Sequence, residues 1–350
     1  MRKVRVGIVG IGMIAHMFHI PKYQNHPQVE LVAVADIDLE RAQKVAGELG
    51  NIEAYGSAQE MFANAQLDAV SIATFNESHV ELAIAALEYG LDVLVEKPMA
   101  VSSDQAKLLR EKALASDRIV MVGMSSRFRY DCRALHGIAA NGELGDIYYA
   151  KARILRRRGV PFGWFTNMAQ SGGGPMMDIG VHALDAAWWM MGQPEPDQVM
   201  GKLFRKVAPY QTEGVGFYAA MSIDNKENPV YDVEDLGTAY ITFKNGAVLT
   251  IEASWAVNGS EDDAMKIDLY GTKGGASLDP FTFFKESDRI PVSYDMKVQS
   301  NDYYQEEINH FIDCVLQRKQ PVCDAAQGTE IVKLLEAIRI SSETNSAVKL

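Results

Sequence analysis

The sequence predicts an α/β protein: an N-terminal doubly wound parallel sheet, followed by an α+β domain whose sheet is largely antiparallel and open on one face. Three observations carry this. Over residues 1–124 short apolar runs alternate with amphipathic helical stretches, the rhythm of strands buried on both faces and covered by helices. A glycine-rich turn joins the first run to the first helix. From about residue 125 the runs become longer, adjacent and more loosely alternating, as in hairpin-connected strands. Two domains are therefore expected, 1–124 and 125–350, a division that this length supports.

In the first domain the strands are expected at Val4–Val9, Leu31–Ala35, Ala69–Ala73, Val93–Val95 and Ile119–Val122. Two of the helices between them open on capping boxes, Ser57 with Glu60 and Ser102 with Gln105, where a hydroxyl accepts an N–H that the first helical turn leaves unpaired. In the second domain strands are expected at Ile147–Leu155, Gly237–Phe243, Ala247–Trp255 and Met265–Tyr270, with Asn245-Gly246 as a hairpin turn. The polar stretch Asp224–Glu234 reads as a surface loop. Two helices, Tyr303–Arg318 and Gln327–Thr344, close the chain, the first with Ile308, Phe311, Ile312, Val315 and Leu316 at helical spacing.

Bulk properties narrow the function. The formal net charge of −12 argues against a nucleic-acid partner, because phosphate binding needs a basic face. No apolar stretch reaches the ~18 residues of a membrane span, and Met1-Arg2-Lys3 runs straight into the first strand without a signal-peptide pattern. The three cysteines, Cys132, Cys314 and Cys323, have no CxxC spacing and an odd count, which suits a reduced, cytoplasmic protein. His16 and His19 lie three residues apart, but no carboxylate pattern completes a metal site, so no metal is expected.

The sharpest motif is Gly10-Ile11-Gly12-Met13-Ile14-Ala15, set between the first strand and a helix. Gly10 permits the tight turn, Gly12 lets a pyrophosphate approach the backbone, and Ala15 lets the helix pack closely on the sheet. The N–H groups of Met13 and Ile14 open that helix toward the phosphates. Asp36 ends the second strand, 21 residues after Ala15, where a carboxylate accepts from both ribose hydroxyls and repels a 2′-phosphate. This is the fingerprint of a Rossmann dinucleotide domain, with NAD favoured over NADP. Thr74 and Glu96 also fall at carboxyl ends of strands, where such folds bind their ligand.

Two further motifs carry chemistry. Glu96-Lys97-Pro98 is a rigid turn at the carboxyl edge of the sheet, from which Lys97 points into the cofactor cleft. After the run Gly172-Gly173-Gly174, an otherwise apolar helix carries Asp178, His182 and Asp185 at i, i+4 and i+7. A narrow polar stripe on a buried helix must meet partners or a ligand. The bland readings are a surface lysine and a core histidine with a carboxylate partner. Trp188 and Trp189, farther along the same helix, are expected in the core.

Taken together, Gly10-x-Gly12-x-x-Ala15, Ala73-Thr74-Phe75-Asn76-x-x-His79, Glu96-Lys97-Pro98 and Gly174-x3-Asp178-x-Gly180-x-His182-x2-Asp185 closely resemble the glucose–fructose oxidoreductase/inositol dehydrogenase/rhizopine catabolism (Gfo/Idh/MocA) family over essentially the whole chain. Phe75 stands where that loop usually has proline. The resemblance implies hydride transfer between nicotinamide and a secondary carbinol of a sugar, glycoside or cyclitol. It implies Lys97, Asp178 and His182 as the catalytic group, and Asn76, His79, Glu96 and Lys97 on the nicotinamide side of the cofactor with Thr74. It also implies a homodimer or homotetramer, for which the open sheet face offers a surface.

Within that expectation His182 is the general base, since imidazole exchanges protons near neutrality. Lys97 stabilises the developing alkoxide and takes a share of the proton transfer, and Asp178 orients the pair. Arg127, Trp164 and Asp185 join these three residues as substrate contacts, Trp164 by stacking on a sugar face. Arg156 and Arg157 are weighed as substrate contacts against a solvated strand end or an oligomer contact. Two other classes are weighed: a non-catalytic dinucleotide-binding regulator on the same fold, against which Lys97, Asp178 and His182 argue, and a reductase of an imine or C=C bond, against which the several hydroxyl-binding groups argue.

Overall fold

The computed structural model describes residues 3–161, 163–212 and 230–350. The chain divides into two compact units, residues 1–125 with 302–332, and residues 126–301 with 333–350. The segment 125–350 is therefore not one compact body: the helix Tyr303–Gln317 and the start of the helix Ala325–Thr344 belong with the first unit.

The first unit is a six-stranded sheet built from β1 (Val4–Val9), β2 (Val29–Ala35), β3 (Glu53–Tyr55), β4 (Ala69–Ile72), β5 (Asp92–Glu96) and β6 (Val120–Gly123). The strand order is β3-β2-β1-β4-β5-β6 and every pairing is parallel. The order reverses at β1, which places a crevice beyond the carboxyl ends of β1 and β4. Four strands match their expected positions within two residues at each end, and β1 matches at both. The short β3 has no apolar run and gave no sequence signal. Both capping serines act as expected, Ser57 Oγ accepting from Glu60 N (3.2 Å) and Ser102 Oγ from Gln105 N (3.3 Å). On the Tyr303–Gln317 helix, Ile308, Phe311, Ile312 and Val315 are buried, whereas Leu316 is exposed.

Among the described residues the second unit holds nine strands: β7 (Ile147–Leu155), β8 (Pro196–Phe204), β9 (Leu236–Phe243), β10 (Val248–Ser254), β11 (Met265–Gly271), β12 (Gly274–Ser277), β13 (Thr282–Ser287), β14 (Ile290–Asp295) and β15 (Val348–Lys349). Their order is β14-β13-β12-β11-β7-β10-β9-β8-β15. Only β7 and β10 pair in parallel; β8–β9, β9–β10, β11–β7, β11–β12, β12–β13, β13–β14 and β15–β8 are antiparallel. Gly246 turns the β9–β10 hairpin with φ +84°. One face of the sheet carries the helix Val181–Met190, in which Trp188 and Trp189 are buried.

The stretch Asp224–Glu234 departs from the surface loop expected of it. Residues up to 229 lie outside the described residues, but Val233 and Glu234 are buried. The three cysteines lie outside any disulfide, and all are buried. Among the described residues no helix is long and apolar enough to cross a membrane.

Candidate active site

In the first unit the fingerprint turn is shaped for a dinucleotide. Gly10 has φ +85°, and a Cβ there would lie 2.6 Å from the Ala73 carbonyl oxygen, so only glycine fits between β1 and the loop after β4. At Gly12 a Cβ would meet nothing within 4 Å: the space over this backbone is open, as a pyrophosphate needs. Met13 and Ile14 are half-buried in the turn that follows. The chain then winds as a π-helical turn, Ala15–His19, before the helix Ile20–Gln24. Such turns are rare and recur at functional sites.

Asp36 closes the same site from β2. Its Oδ2 accepts from Ile11 N (2.8 Å) and its Oδ1 from Asp38 N (2.9 Å), while Arg41 Nη1 lies 3.6 Å from Oδ2. Each carboxylate oxygen has two lone pairs, so one acceptor site remains on each for a ribose hydroxyl.

After β4, Thr74 Oγ1 and Ser78 Oγ are 2.7 Å apart, and Asn76 is buried on the 3₁₀ turn Asn76–Ser78. His79 corrects the sequence reading. It is 1% exposed, with Nδ1 2.8 Å from the Pro98 carbonyl and Nε2 3.2 Å from the Thr74 carbonyl. Both ring nitrogens thus face backbone oxygens, and burial lowers the pKa of the ring. His79 ties the Thr74 loop to the Lys-Pro turn, which occupies both ring nitrogens with backbone carbonyls. Glu96 is buried; its Oε1 lies 2.8 Å from His19 Nε2 and its Oε2 accepts from Lys97 N at 3.2 Å. Burial alone would raise the Glu96 carboxyl, but the His19 hydrogen bond and the His19 and Lys97 charges outweigh it and hold the group ionised. Lys97 is half-buried at the end of β5.

In the second unit the glycine run feeds another π-helical turn, Met176–Gly180, continuous with the helix Val181–Met190. Glu234 fixes its entry, accepting from Gly174 N (2.9 Å) and Met176 N (3.2 Å). Burial raises the pKa of Glu234 against the lowering effect of these N–H groups. At Gly174 a Cβ would stand 2.2 Å from the Glu234 carbonyl oxygen. Asp178 is half-buried on the π turn and its Oδ2 accepts from Trp255 Nε1 at 3.0 Å. His182, also half-buried, sits on the first turn of the α-helix.

Asp185 and Arg127 depart from the substrate contacts expected of them. Both side chains are 0% exposed and they bind each other twice, Arg127 Nε to Asp185 Oδ2 (2.8 Å) and Nη2 to Oδ1 (2.7 Å). The guanidinium also lies over Trp189, 5.5 Å from the ring centroid, and His136 stacks on the same indole at 3.8 Å. A carboxylate buried in a bidentate pair is not presented to a sugar hydroxyl. The spacing misled because it shows that Asp185 needs a partner but not which one, and Arg127, far away in sequence, supplies it. Trp164 is half-buried on the 3₁₀ turn Gly163–Thr166 and stacks on Phe165 at 4.0 Å. Arg156 is buried and paired with Asp263. Sequence reasoning missed His19, Trp255 and Glu234: the first read as a helix residue without partners, the second as a strand end, and the third lay in a polar run. Among the described residues no group of three or more His, Cys, Asp or Glu is placed to hold a metal ion.

Family models match both parts of the chain: an oxidoreductase family with an NAD-binding Rossmann fold over residues 4–124, and the C-terminal alpha/beta domain of the same family over residues 139–350. The chain belongs to the Gfo/Idh/MocA oxidoreductase family. It is 33% identical to D-glucoside 3-dehydrogenase of Escherichia coli K12, over 99% of this chain and 97% of that one. It is 26% identical to scyllo-inositol 2-dehydrogenase (NAD(+)) of Bacillus subtilis, over 93% and 90% of the two chains. An oxidoreductase domain protein from Kribbella flavida has the same fold, with a TM-score of 0.86 at 21% identity, covering 100% of this chain and 99% of the other.

Proposed function

We propose that this protein is an NAD-dependent dehydrogenase acting on a secondary carbinol of a sugar, glycoside or cyclitol, with a ring hydroxyl of a glucoside as the leading substrate. The observation that carries this reading is the 33% identity to D-glucoside 3-dehydrogenase along nearly the full length of both chains. Retention of Lys97, Asp178 and His182 in a folded setting favours an enzyme over a dinucleotide-binding regulator.

Nucleotide binding is assigned to the 1–124 segment through Gly10, Gly12, Met13, Ile14, Asp36, Thr74, Asn76, Glu96 and Lys97. NAD, when bound, supplies the hydride acceptor. Asp36 holds the ribose hydroxyls. Substrate binding and self-association are assigned to the 125–350 segment, the open sheet face making a homodimer or homotetramer. His182 accepts the hydroxyl proton as general base, and Lys97 stabilises the charge that develops on the substrate oxygen. Asp178, steadied by the Trp255 N–H, orients the imidazole. Trp164 offers an aromatic face to the sugar ring.

The test is NADH formation followed by absorbance against glucosides, free sugars, uronic acids and inositols, with NAD and NADP in parallel. Turnover of a glucoside with NAD is the expected result. Tight NAD binding with no turnover of any polyol would move the chain to the regulator class.

A further inference from the structure

The Lys97 turn is held from two sides by histidines that the proposed chemistry does not use. The turn follows β5, whose neighbour in the sheet is β4, with β1 one strand farther. From the β1 side comes His19, the last residue of the π turn that continues the nucleotide fingerprint. It is 2% exposed, and its Nε2 lies 2.8 Å from Glu96 Oε1. The other oxygen of that carboxylate, Oε2, accepts from Lys97 N at 3.2 Å. From the β4 side comes His79, the first residue of the helix His79–Glu88. Its Nδ1 lies 2.8 Å from the Pro98 carbonyl oxygen and its Nε2 3.2 Å from the Thr74 carbonyl oxygen. The two contacts bracket the lysine, one through its own N–H and one at the next carbonyl.

Each anchor is itself braced. The Glu96 carboxylate lies against β6, where a Cβ at Gly123 would already touch its Oε1 at 3.4 Å. Phe18, beside His19, stacks on Tyr304 at 3.8 Å, and Tyr23 of the following helix is bonded to Ser71 of β4. On the other side, Thr74 Oγ1 and Ser78 Oγ stand 2.7 Å apart in the loop that leads to His79. That loop leans on the fingerprint turn, since a Cβ at Gly10 would meet Thr74 Cγ2 at 2.8 Å. A carboxylate and a carbonyl oxygen only accept hydrogen bonds. His19 therefore donates from Nε2 to Glu96 and His79 from Nδ1 to Pro98, and each bond exists whether the ring is neutral or charged.

We propose that His19 and His79 are positioning residues that clamp the Lys97 turn to the loops after β1 and β4. The two loops that flank the nucleotide crevice then also set the lysine. Both histidines are buried, so breaking either bond leaves a buried acceptor unsatisfied and the turn free to shift. A shift of about 1 Å is enough to cost a reacting group much of its rate. His19 acts through the Glu96 carboxylate and the Lys97 N–H, and His79 through the Pro98 carbonyl.

The inference rests on the proposed roles of Lys97 and of the crevice, but its first measurement needs neither. Glutamine carries its amide N–H2 where the Nε2 of histidine stands, and asparagine where Nδ1 stands. His19→Gln and His79→Asn therefore keep the bonds to the turn, whereas His19→Asn and His79→Gln break them. The full chain without nucleotide is labelled with an amine-reactive reagent and read by mass spectrometry, with Lys112, whose side chain is 48% exposed, as the internal reference. Lys97 should react as in wild type in the two bond-keeping variants. It should react about three- to tenfold faster in the two bond-breaking ones, the range for one lost hydrogen bond. Lost bulk cannot produce this crossed pattern, because the same replacement keeps one bond and breaks the other. Equal Lys97 reactivity in all four variants, or reactivity that follows melting temperature instead of the bond, overturns the proposal. With a substrate, the bond-breaking variants should lower kcat by about tenfold with KM for NAD within about threefold of wild type, and the bond-keeping ones should restore it. Crossed labelling with kcat unchanged throughout would remove Lys97 from the chemistry and leave the clamp standing.

Discussion

Asp36, proposed to set cofactor choice, is held by bonds it already makes. Its oxygens accept the N–H groups of Ile11 and Asp38, so the carboxylate is fixed before any ribose arrives, and Arg41 stands 3.6 Å away with its side chain 44% exposed. Asp36→Ser removes the charge that repels a 2′-phosphate and leaves Arg41 to meet one. It should weaken NAD binding by about tenfold or more and strengthen NADP binding. Calorimetric titration with each dinucleotide checks this, and an unchanged preference would remove Asp36 from cofactor selection. His182 makes a complementary prediction. Its replacement by alanine should lower kcat by about 100-fold or more and leave NAD affinity near wild type, because the role proposed for it is to accept the substrate proton. Retained turnover would shift the base to Lys97. At this scale the sequence was most legible where a residue's role is set by backbone geometry next to it, as at Gly10 and Gly12. It was least legible where two distant residues choose each other. Arg127 and Asp185 are separated by 58 positions and each, alone, looks like a sugar ligand; only folding reveals that they satisfy one another.

At the scale of elements, both segments proposed to serve hydride transfer leave the α-helical period. Ala15–His19 follows the nucleotide fingerprint and Met176–Gly180 carries Asp178. A π turn adds a residue to the turn, so it re-aims side chains by an amount that hydrophobic periodicity cannot register. The helix and its glycine lead were visible in the sequence, but the irregular turn that opens the helix was not. The second π turn is held by its entry: Gly174 lies against the Glu234 backbone, and Glu234 takes two of its N–H groups. Gly174→Ala should destabilise the protein by about 1–3 kcal/mol, the usual range for forcing a methyl into a filled site. It should also lower kcat, because backbone displacement there moves Asp178. Thermal unfolding and steady-state kinetics together test this; a loss of stability with kcat unchanged would separate the entry from the chemistry.

At the scale of the whole molecule, the two compact units are not the two halves of the sequence. The alternating rhythm up to residue 124 marked the parallel sheet correctly, but its covering layer includes a helix encoded after residue 302. Amphipathicity identified that helix and could not say which sheet it covers, since any apolar face would serve. The consequence can be weighed. Ile308, Phe311, Ile312 and Val315 are all at most 9% exposed. Burying each contributes roughly 1.5–3 kcal/mol, together about 6–12 kcal/mol. That is comparable to the ~5–15 kcal/mol net stability of a whole domain. A fragment ending at residue 124 should therefore fail to fold cooperatively, despite containing the entire nucleotide fingerprint. Joining residues 1–125 to 302–332 through a flexible linker should restore a cooperative unfolding transition and NAD binding within about tenfold of the full chain. Circular dichroism melts and NAD titrations of the two fragments decide the matter. Cooperative melting of the 1–124 fragment, with NAD bound as tightly as by the full chain, would show that the returning helix is dispensable to the nucleotide unit.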